Sequence, residues 1–205
     1  MDKTKSDWEK VVEFHGHVCP GLAIGFKAAQ EGLKALAGTR AVDEELVAIV
    51  ENDACGVDAI QVLTGCTMGK GNLIFRDVGK HAFAFIVREK QEGVRVSLKH
   101  GKMENQEHRA LMQKVISGKA TAAEKAEFEK LHGQICQTIL DTPGEELFDI
   151  ATVKVELPQK AMVFKSVACA YCGEGVMEPR AMVKDGKPCC ADCATHYRSK
   201  LLALD

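Results

Sequence analysis

The chain has 205 residues, of which 46% are hydrophobic, and its formal net charge is −2. This length suits one globular domain with a small addition, and the near-neutral charge gives no reason to expect nucleic acid as the main partner. No apolar run reaches the roughly 20 residues of a membrane helix, and the charged start predicts no secretion signal, so a cytoplasmic location is expected.

The first 158 residues have the periodicities of a mixed α and β domain. A helical turn is predicted around Trp8–Phe14, and a helix over Pro20–Ala37 with Gly38 as its C-terminal cap. The following patterns predict a strand, a short helix, three strands, two helices and a last strand: Leu46–Val50, Val57–Leu63, Leu73–Arg76, Ala82–Arg88, Val94–Leu98, Glu104–Ile116, Ala122–Leu140 and Ile150–Leu157. A turn at Asp77–Lys80 should join the first two of the three strands. One sheet with helices packed on it is the expected architecture.

A boundary between two blocks is predicted near Pro158, because proline cannot continue a central strand. Residues 1–158 would form the larger domain and residues 159–205 a small second one. The second block holds five of the nine cysteines within 25 positions. Since a reducing compartment does not favour disulfides, clustered cysteines there are predicted to be metal ligands or reactive thiols.

Four cysteines of the second block have the spacing of a structural zinc site. Two C-x-x-C pairs are separated by 17 residues, and their members are Cys169, Cys172, Cys190 and Cys193. Four thiolates would fill the tetrahedral shell of zinc and leave no open position. Cys189 is an alternative ligand, but only Cys190 keeps the two-residue gap. A hairpin formed by Val176–Val183 and Lys187–Pro188, which turns at Asp185-Gly186, and a helix over Ala194–Leu202 are predicted, so the segment resembles a treble-clef zinc finger.

A second group of metal-binding residue types lies in the first block. Cys19 directly precedes the Pro20 helix, and Cys55 precedes the next one, so both thiols should face a helix N-terminus that favours the thiolate. His17 points the same way as Cys19 in extended backbone, and His15 shares that face. His17, Cys19 and Cys55 therefore predict a three-ligand metal site with an open fourth position. The alternative is that these residues are only packed in the core.

The loop from Cys66 to Asn72 is interrupted by glycines and contains Lys70. Such a loop can hold an anion near its backbone N–H groups and its lysine, although a tight connection explains the pattern equally well. Cys66 is also an alternative redox partner for Cys55, but no C-x-x-C spacing supports that pairing. Cys136, on the apolar side of a predicted helix, is expected to be plain core.

Two segments, FHGHVCPGLAIGFKAA (14–29) and DACGVDAIQVLTGCTMGKGNL (53–73), resemble the FmdE family of formylmethanofuran dehydrogenase proteins over about residues 10–155. The resemblance implies a thioredoxin-like α+β core, with a mixed five-stranded sheet flanked by helices, and in some members a C-terminal treble-clef zinc finger. It also implies a core active site that can hold zinc. That site maps onto His17, Cys19 and Cys55, with Asp58, Cys66 and Lys70 as neighbours.

Three functions follow from these features. The first is a metal-binding accessory protein of anaerobic one-carbon or molybdoenzyme metabolism, with a structural zinc in the finger and a second zinc or other transition metal in the core. The second is a metal-dependent hydrolase or a thiol-redox enzyme, whose candidate catalytic residues are Cys19, Cys55, Asp58 and Lys70. The third is a regulatory module whose finger binds protein or nucleic acid, which the scarcity of stacking aromatic residues disfavours for nucleic acid. Expected partners are a second copy of the chain and the subunits of a molybdenum or tungsten dehydrogenase.

Overall fold

The computed structural model describes residues 4–38, 40–102 and 105–194. It divides into two compact units, residues 1–160 and 161–205, so the division lies two residues beyond the predicted end of the first domain. The predicted helix Ala194–Leu202 lies, except for its first residue, outside the described residues. Within the described ranges, no helix combines the length and the apolar character needed to cross a membrane.

The first unit alternates helices and strands along the chain. In order, these elements are α1 (Asp7–His15), α2 (Pro20–Ala35), β1 (Leu46–Val50), α3 (Gly56–Thr64), β2 (Leu73–Phe75), β3 (Ala82–Val87), β4 (Glu92–Leu98), α4 (Gln106–Ile116), α5 (Ala122–Asp141), α6 (Gly144–Leu147) and β5 (Phe148–Lys154).

The five strands form one mixed sheet in the order β2-β1-β3-β4-β5, which confirms the predicted α+β architecture. β1 is parallel to β2, and the other neighbours are antiparallel. The turn between β2 and β3 therefore does not form a hairpin, because β1 lies between them. Its backbone instead crosses the end of β1, where Lys80 N–H donates to the Glu51 carbonyl over 2.9 Å.

The core lies between one face of the sheet and the helices. Phe83 and Phe85 on β3 are fully buried there, and burying a phenylalanine side chain is worth about 1.5–3 kcal/mol. α2 approaches this face closely because Gly32 carries no side chain. A Cβ at Gly32 would lie 2.1 Å from the Phe85 ring.

Several element ends differ from the predictions. α2 stops at Ala35 rather than Ala37, because Ala37 adopts a left-handed φ of 47° and the Gly38 N–H donates back to the Leu33 carbonyl. α4 begins after Asn105, whose side chain caps the His108 N–H. β5 begins at Phe148 and ends at Lys154, shifted toward the N-terminus from the predicted 150–157, and α6, which precedes it, was not predicted.

The second unit consists of two short hairpins among its described residues. β6 (Ser166–Ala168) pairs with β7 (Gly175–Met177), and β8 (Met182–Lys184) pairs with β9 (Lys187–Cys189). The continuous strand predicted over 176–183 is wrong, since a 3₁₀ turn containing Pro179 divides it. The turn at Asp185-Gly186 is confirmed. Its φ angles of 50° and 72° are the two left-handed conformations of a tight hairpin turn.

Candidate functional site

The second unit brings together the four predicted zinc ligands. The thiol sulfurs of Cys169, Cys172, Cys190 and Cys193 all lie within 4.8 Å of one another. The Sγ atoms of Cys172 and Cys190 are 3.9 Å apart. A tetrahedral zinc with Zn–S distances near 2.3 Å separates its sulfurs by about 3.8 Å, so this donor set fits zinc.

Backbone hydrogen bonds build the turn that carries the first pair. The Gly173 N–H donates to the Cys169 carbonyl, and the Cys169 N–H donates to the Glu174 carbonyl, which closes the loop between β6 and β7. Backbone N–H groups of Cys172, followed by that of Cys190, lower the pKa of Cys169 to about 6. The turn is therefore arranged to stabilise a thiolate. Cys189 is buried on β9 and lies outside the four-thiol set.

The first unit contains a second convergence of ligand atoms, at the junction of α1 and α2. The ligand atoms of His15, His17 and Cys19 lie within 4.8 Å of one another. His15 ends α1, and Gly16, with φ of 91°, reverses the chain so that His15 and Cys19 meet. Cys19 is the N-cap of α2, where its sulfur accepts the Leu22 N–H over 3.3 Å. The predicted placement of Cys19 at a helix start is thus observed.

Asp58 holds the His15 ring in position. The Asp58 carboxylate lies 2.7 Å from His15 Nδ1, and His15 Nε2 faces the Cys19 sulfur at 3.9 Å. A carboxylate on one ring nitrogen with a metal on the other is the usual arrangement around a ligating histidine. Asp58, considered above as a general base, therefore contacts His15 instead of standing free. The His17 ring lies 4.4 Å from the His15 ring, centroid to centroid.

Cys55 lies beside this cluster, at the start of α3, and caps no N–H group. A Cβ placed on Gly21 would be 3.9 Å from Cys55 Sγ and 4.0 Å from Cys19 Sγ, so the two thiols flank the same glycine. The tightest set nevertheless contains His15 where the sequence predicted Cys55.

Close packing of α2 on α3 causes the two thiols to converge. A Cβ on Gly25 would lie only 2.2 Å from the Gly56 carbonyl oxygen, so the two helices touch backbone to backbone. Glycines at these positions are the local reason that two helix starts, 36 residues apart in sequence, reach one end of the sheet.

Burial dominates the electrostatics of Cys19. It raises the pKa of the thiol to about 11, against the opposing effect of the hydrogen bond from the Leu22 N–H. The helix start, which was predicted to favour the thiolate, is therefore outweighed by desolvation. A bound cation is the element that would make a thiolate favourable here, since a coordinating thiol is deprotonated by its metal.

The structure places Lys70 and Cys66 away from the cluster. The Lys70 ammonium donates to the carbonyls of Val42 and Asp43, and the Cys66 thiol donates to the Leu46 carbonyl. All three carbonyls lie at the beginning of β1, whereas Cys55 follows its end. Neither the anion-binding interpretation of Lys70 nor the pairing of Cys66 with Cys55 is compatible with this placement.

The sequence interpretation missed the contribution of α5. His132 and Cys136, one turn apart, share a helix face. Burial, followed by the charge of Cys19, raises the pKa of Cys136 to about 11, and the pKa of His132 is lowered by burial, then by His108 and His17. His132 Nδ1 also lies 2.8 Å from His108 Nε2. The i, i+4 spacing of a histidine and a cysteine was the available signal.

Comparison with known proteins agrees with both units. The family described as "FmdE, Molybdenum formylmethanofuran dehydrogenase operon" matches residues 14–149, and the prokaryotic dksA/traR C4-type zinc finger matches residues 164–197. A probable S-adenosyl-L-methionine-binding protein of Archaeoglobus fulgidus is 34% identical over 193 residues, which cover 90% of this chain and 51% of the relative. The chain thus spans about half the length of that relative.

A similar solved structure is that of a tungsten formylmethanofuran dehydrogenase (FmdE)-like protein from Syntrophus aciditrophicus. The two chains are 29% identical with a TM-score of 0.63, and the match covers 90% of this chain and 88% of the other. The two units, their motifs and these matches lead to one conclusion: the chain belongs to the FmdE family and carries a four-cysteine zinc finger.

Proposed function

We propose that the core cluster binds zinc or another transition metal through His15, His17 and Cys19, with Cys55 beside it. The observation that carries this proposal is the convergence of three ligand atoms within 4.8 Å, one of them on a histidine whose other nitrogen meets Asp58. Imidazole and thiolate are a donor set that zinc accepts, and three protein ligands leave one coordination position for a substrate.

The biological role proposed for this site is that of a metal-binding accessory protein in anaerobic one-carbon or molybdoenzyme metabolism. Support comes from the description of the matched family, which refers to a molybdenum formylmethanofuran dehydrogenase operon, and from the name of the similar solved structure. Dehydrogenase subunits and a second copy of this chain are the proposed partners. The four-cysteine finger, with its shell filled by protein, acts as a folding element and docking surface.

A metal-dependent hydrolase is the second candidate, and the Asp58–His15 contact favours it. A zinc ion with three protein ligands supplies an acidified water molecule. In that enzyme His15 and Cys19 would hold the metal, and Asp58 would fix the orientation of the His15 ring.

Metal content tests the core site. The full chain, saturated with zinc and then desalted, is expected to retain two zinc ions by elemental analysis, and Cys19→Ser only one. Cys66→Ser is the matched control, because Cys66 is equally buried but bonds the Leu46 carbonyl at the other end of β1. It should keep both ions. Equal zinc content in the wild type and in Cys19→Ser would refute the proposal.

A further inference from the structure

A basic cleft of about 620 Å³ opens at the end of the sheet where β1 stops and β3 begins. The described residues that line it include no aspartate or glutamate. Six of them have basic side chains: Lys80, His81, Arg95, Lys99, His100 and Arg109. Because the whole chain has 27 basic and 29 acidic residues, this concentration of positive charge is local.

Part of this charge is neutralised by neighbouring acids. Arg95 makes two hydrogen bonds of 2.7 Å to the Glu51 carboxylate, and Lys99 lies 3.9 Å from Asp149. Within the described part of the chain, no ion pair involves Lys80 or Arg109. The cleft therefore presents at least two cations whose charge is available to an incoming ligand.

Arg109 is also unfavourably placed for a residue without a ligand. It lies at the fourth position of α4, close to the positive end of the helix dipole, where a cation is disfavoured. A bound anion would offset that cost, and the planar guanidinium fork matches phosphate and carboxylate oxygens.

The cleft shares its walls with the metal cluster. Ile24, which lines the cleft, lies on α2 five residues after Cys19. On the other side, the Asn52 side chain donates to the Lys80 carbonyl over 2.6 Å and accepts the Ala54 N–H over 3.0 Å, immediately before Cys55. One loop thus connects the cationic lining to the start of α3.

We propose that this cleft binds the oxyanion group, phosphate or carboxylate, of a small molecule whose other end reaches the metal cluster. The second half of this statement rests on the proposed function, and the first half does not. The cleft volume is within the range of small-molecule sites, and Arg109 and Lys80 are the specificity-determining cations.

Calorimetric titration of the full chain at low ionic strength tests the oxyanion site, with pyrophosphate and citrate as probes. Arg109→Gln and Lys80→Gln should each weaken binding about tenfold, the effect of losing one charge-assisted hydrogen bond. Lys130→Gln removes the same charge from an exposed position that pairs only with Glu127 among the described residues, and its affinity should stay within twofold of the wild type. Tighter binding of pyrophosphate would assign a phosphate ligand, and tighter binding of citrate a carboxylate. No binding of either probe, or equal affinity in all variants, would overturn the proposal.

Two further measurements separate this site from the metal claim. Cys19→Ser should still bind the preferred probe, while Arg109→Gln should retain the full zinc content. In protein exchanged into cobalt(II), the ³¹P relaxation of bound pyrophosphate should be faster in the wild type than in Cys19→Ser. Equal relaxation in the two proteins would overturn the shared site, and loss of pyrophosphate binding in Cys19→Ser would overturn the independence of the cleft.

Discussion

Replacing Gly25 by alanine should destabilise the first unit and separate the two candidate metal-binding thiols. The new Cβ would lie 2.2 Å from the Gly56 carbonyl oxygen, where ordinary contacts begin near 3.4 Å, so α2 and α3 must part by about 1.2 Å. Such overpacking costs typically 1–3 kcal/mol, and alanine returns about 1 kcal/mol through its better helix propensity. We expect a net loss of about 1–2 kcal/mol.

Gly133→Ala is the matched control, because Gly133 lies inside α5 with no atom within 4 Å of the position of its Cβ. Helix propensity alone acts there, so this variant should gain up to about 1 kcal/mol. Urea unfolding followed by the fluorescence of Trp8 measures both. Trp8 is the sole tryptophan of the chain, and its ring contacts Phe26 on α2 with centroids 5.1 Å apart, so its signal reports the first unit.

The two substitutions are thus expected to act in opposite directions, although both convert a helical glycine to alanine. If Gly25→Ala were as stable as the wild type, or if it gained stability like Gly133→Ala, the close crossing of α2 on α3 would not exist. The account of how Cys19 and Cys55 converge would then be wrong.

Three other predictions concern individual contacts. Asp58→Asn should weaken metal binding in the core about 10–100-fold because it removes the carboxylate from His15, whereas Asp53→Asn should leave it unchanged; competition with a zinc chelator measures both. Hydrogen bonds from Arg95 hold the pKa of Glu51 below its ordinary value, so the pair stabilises the fold above an unfolded-state pKa of about 4.3 and that contribution is lost as pH falls through the lower folded-state value. Urea unfolding should therefore show Glu51→Gln less stable than the wild type at pH 7, with the difference shrinking in acid; a deficit that stays constant would contradict this assignment. Chelation of zinc should make the 161–205 unit sensitive to protease while the Trp8 signal persists, and loss of both together would show that the units do not fold separately.

Local signals in the sequence were sufficient for much of the fold. Pro20 at the first position of α2 and the N-cap Cys19 belong to a pattern that is readable over a few residues, and so does the Asp185-Gly186 turn. The position of β1 between β2 and β3 was not readable, because it depends on pairing Val50 with Phe75 and Phe83 at once. Such pairings join distant segments and leave no local signature.

The same distinction applies to the candidate site. The placement of Cys19 and Cys55 at helix starts was predictable, since proline and glycine mark these positions. The contact of His15 with Asp58 joins residues 43 positions apart, and the approach of α5 depends on how the helices pack. The glycine-rich loop around Lys70 suggested a site, but its place at the opposite end of β1 follows only from the sheet topology. Burial of Cys19, which reverses the expected direction of its pKa shift, is likewise a property of the packed core.

A crystal structure of the zinc-saturated chain, with anomalous data collected at the zinc absorption edge, tests the central claim most directly. The account predicts two anomalous peaks, one among the four finger cysteines and one bonded to His15, His17 and the sulfur of Cys19, at about 2.0–2.3 Å from each ligand atom. A single peak at the finger, with the core histidines and cysteines well ordered and metal-free, would contradict it.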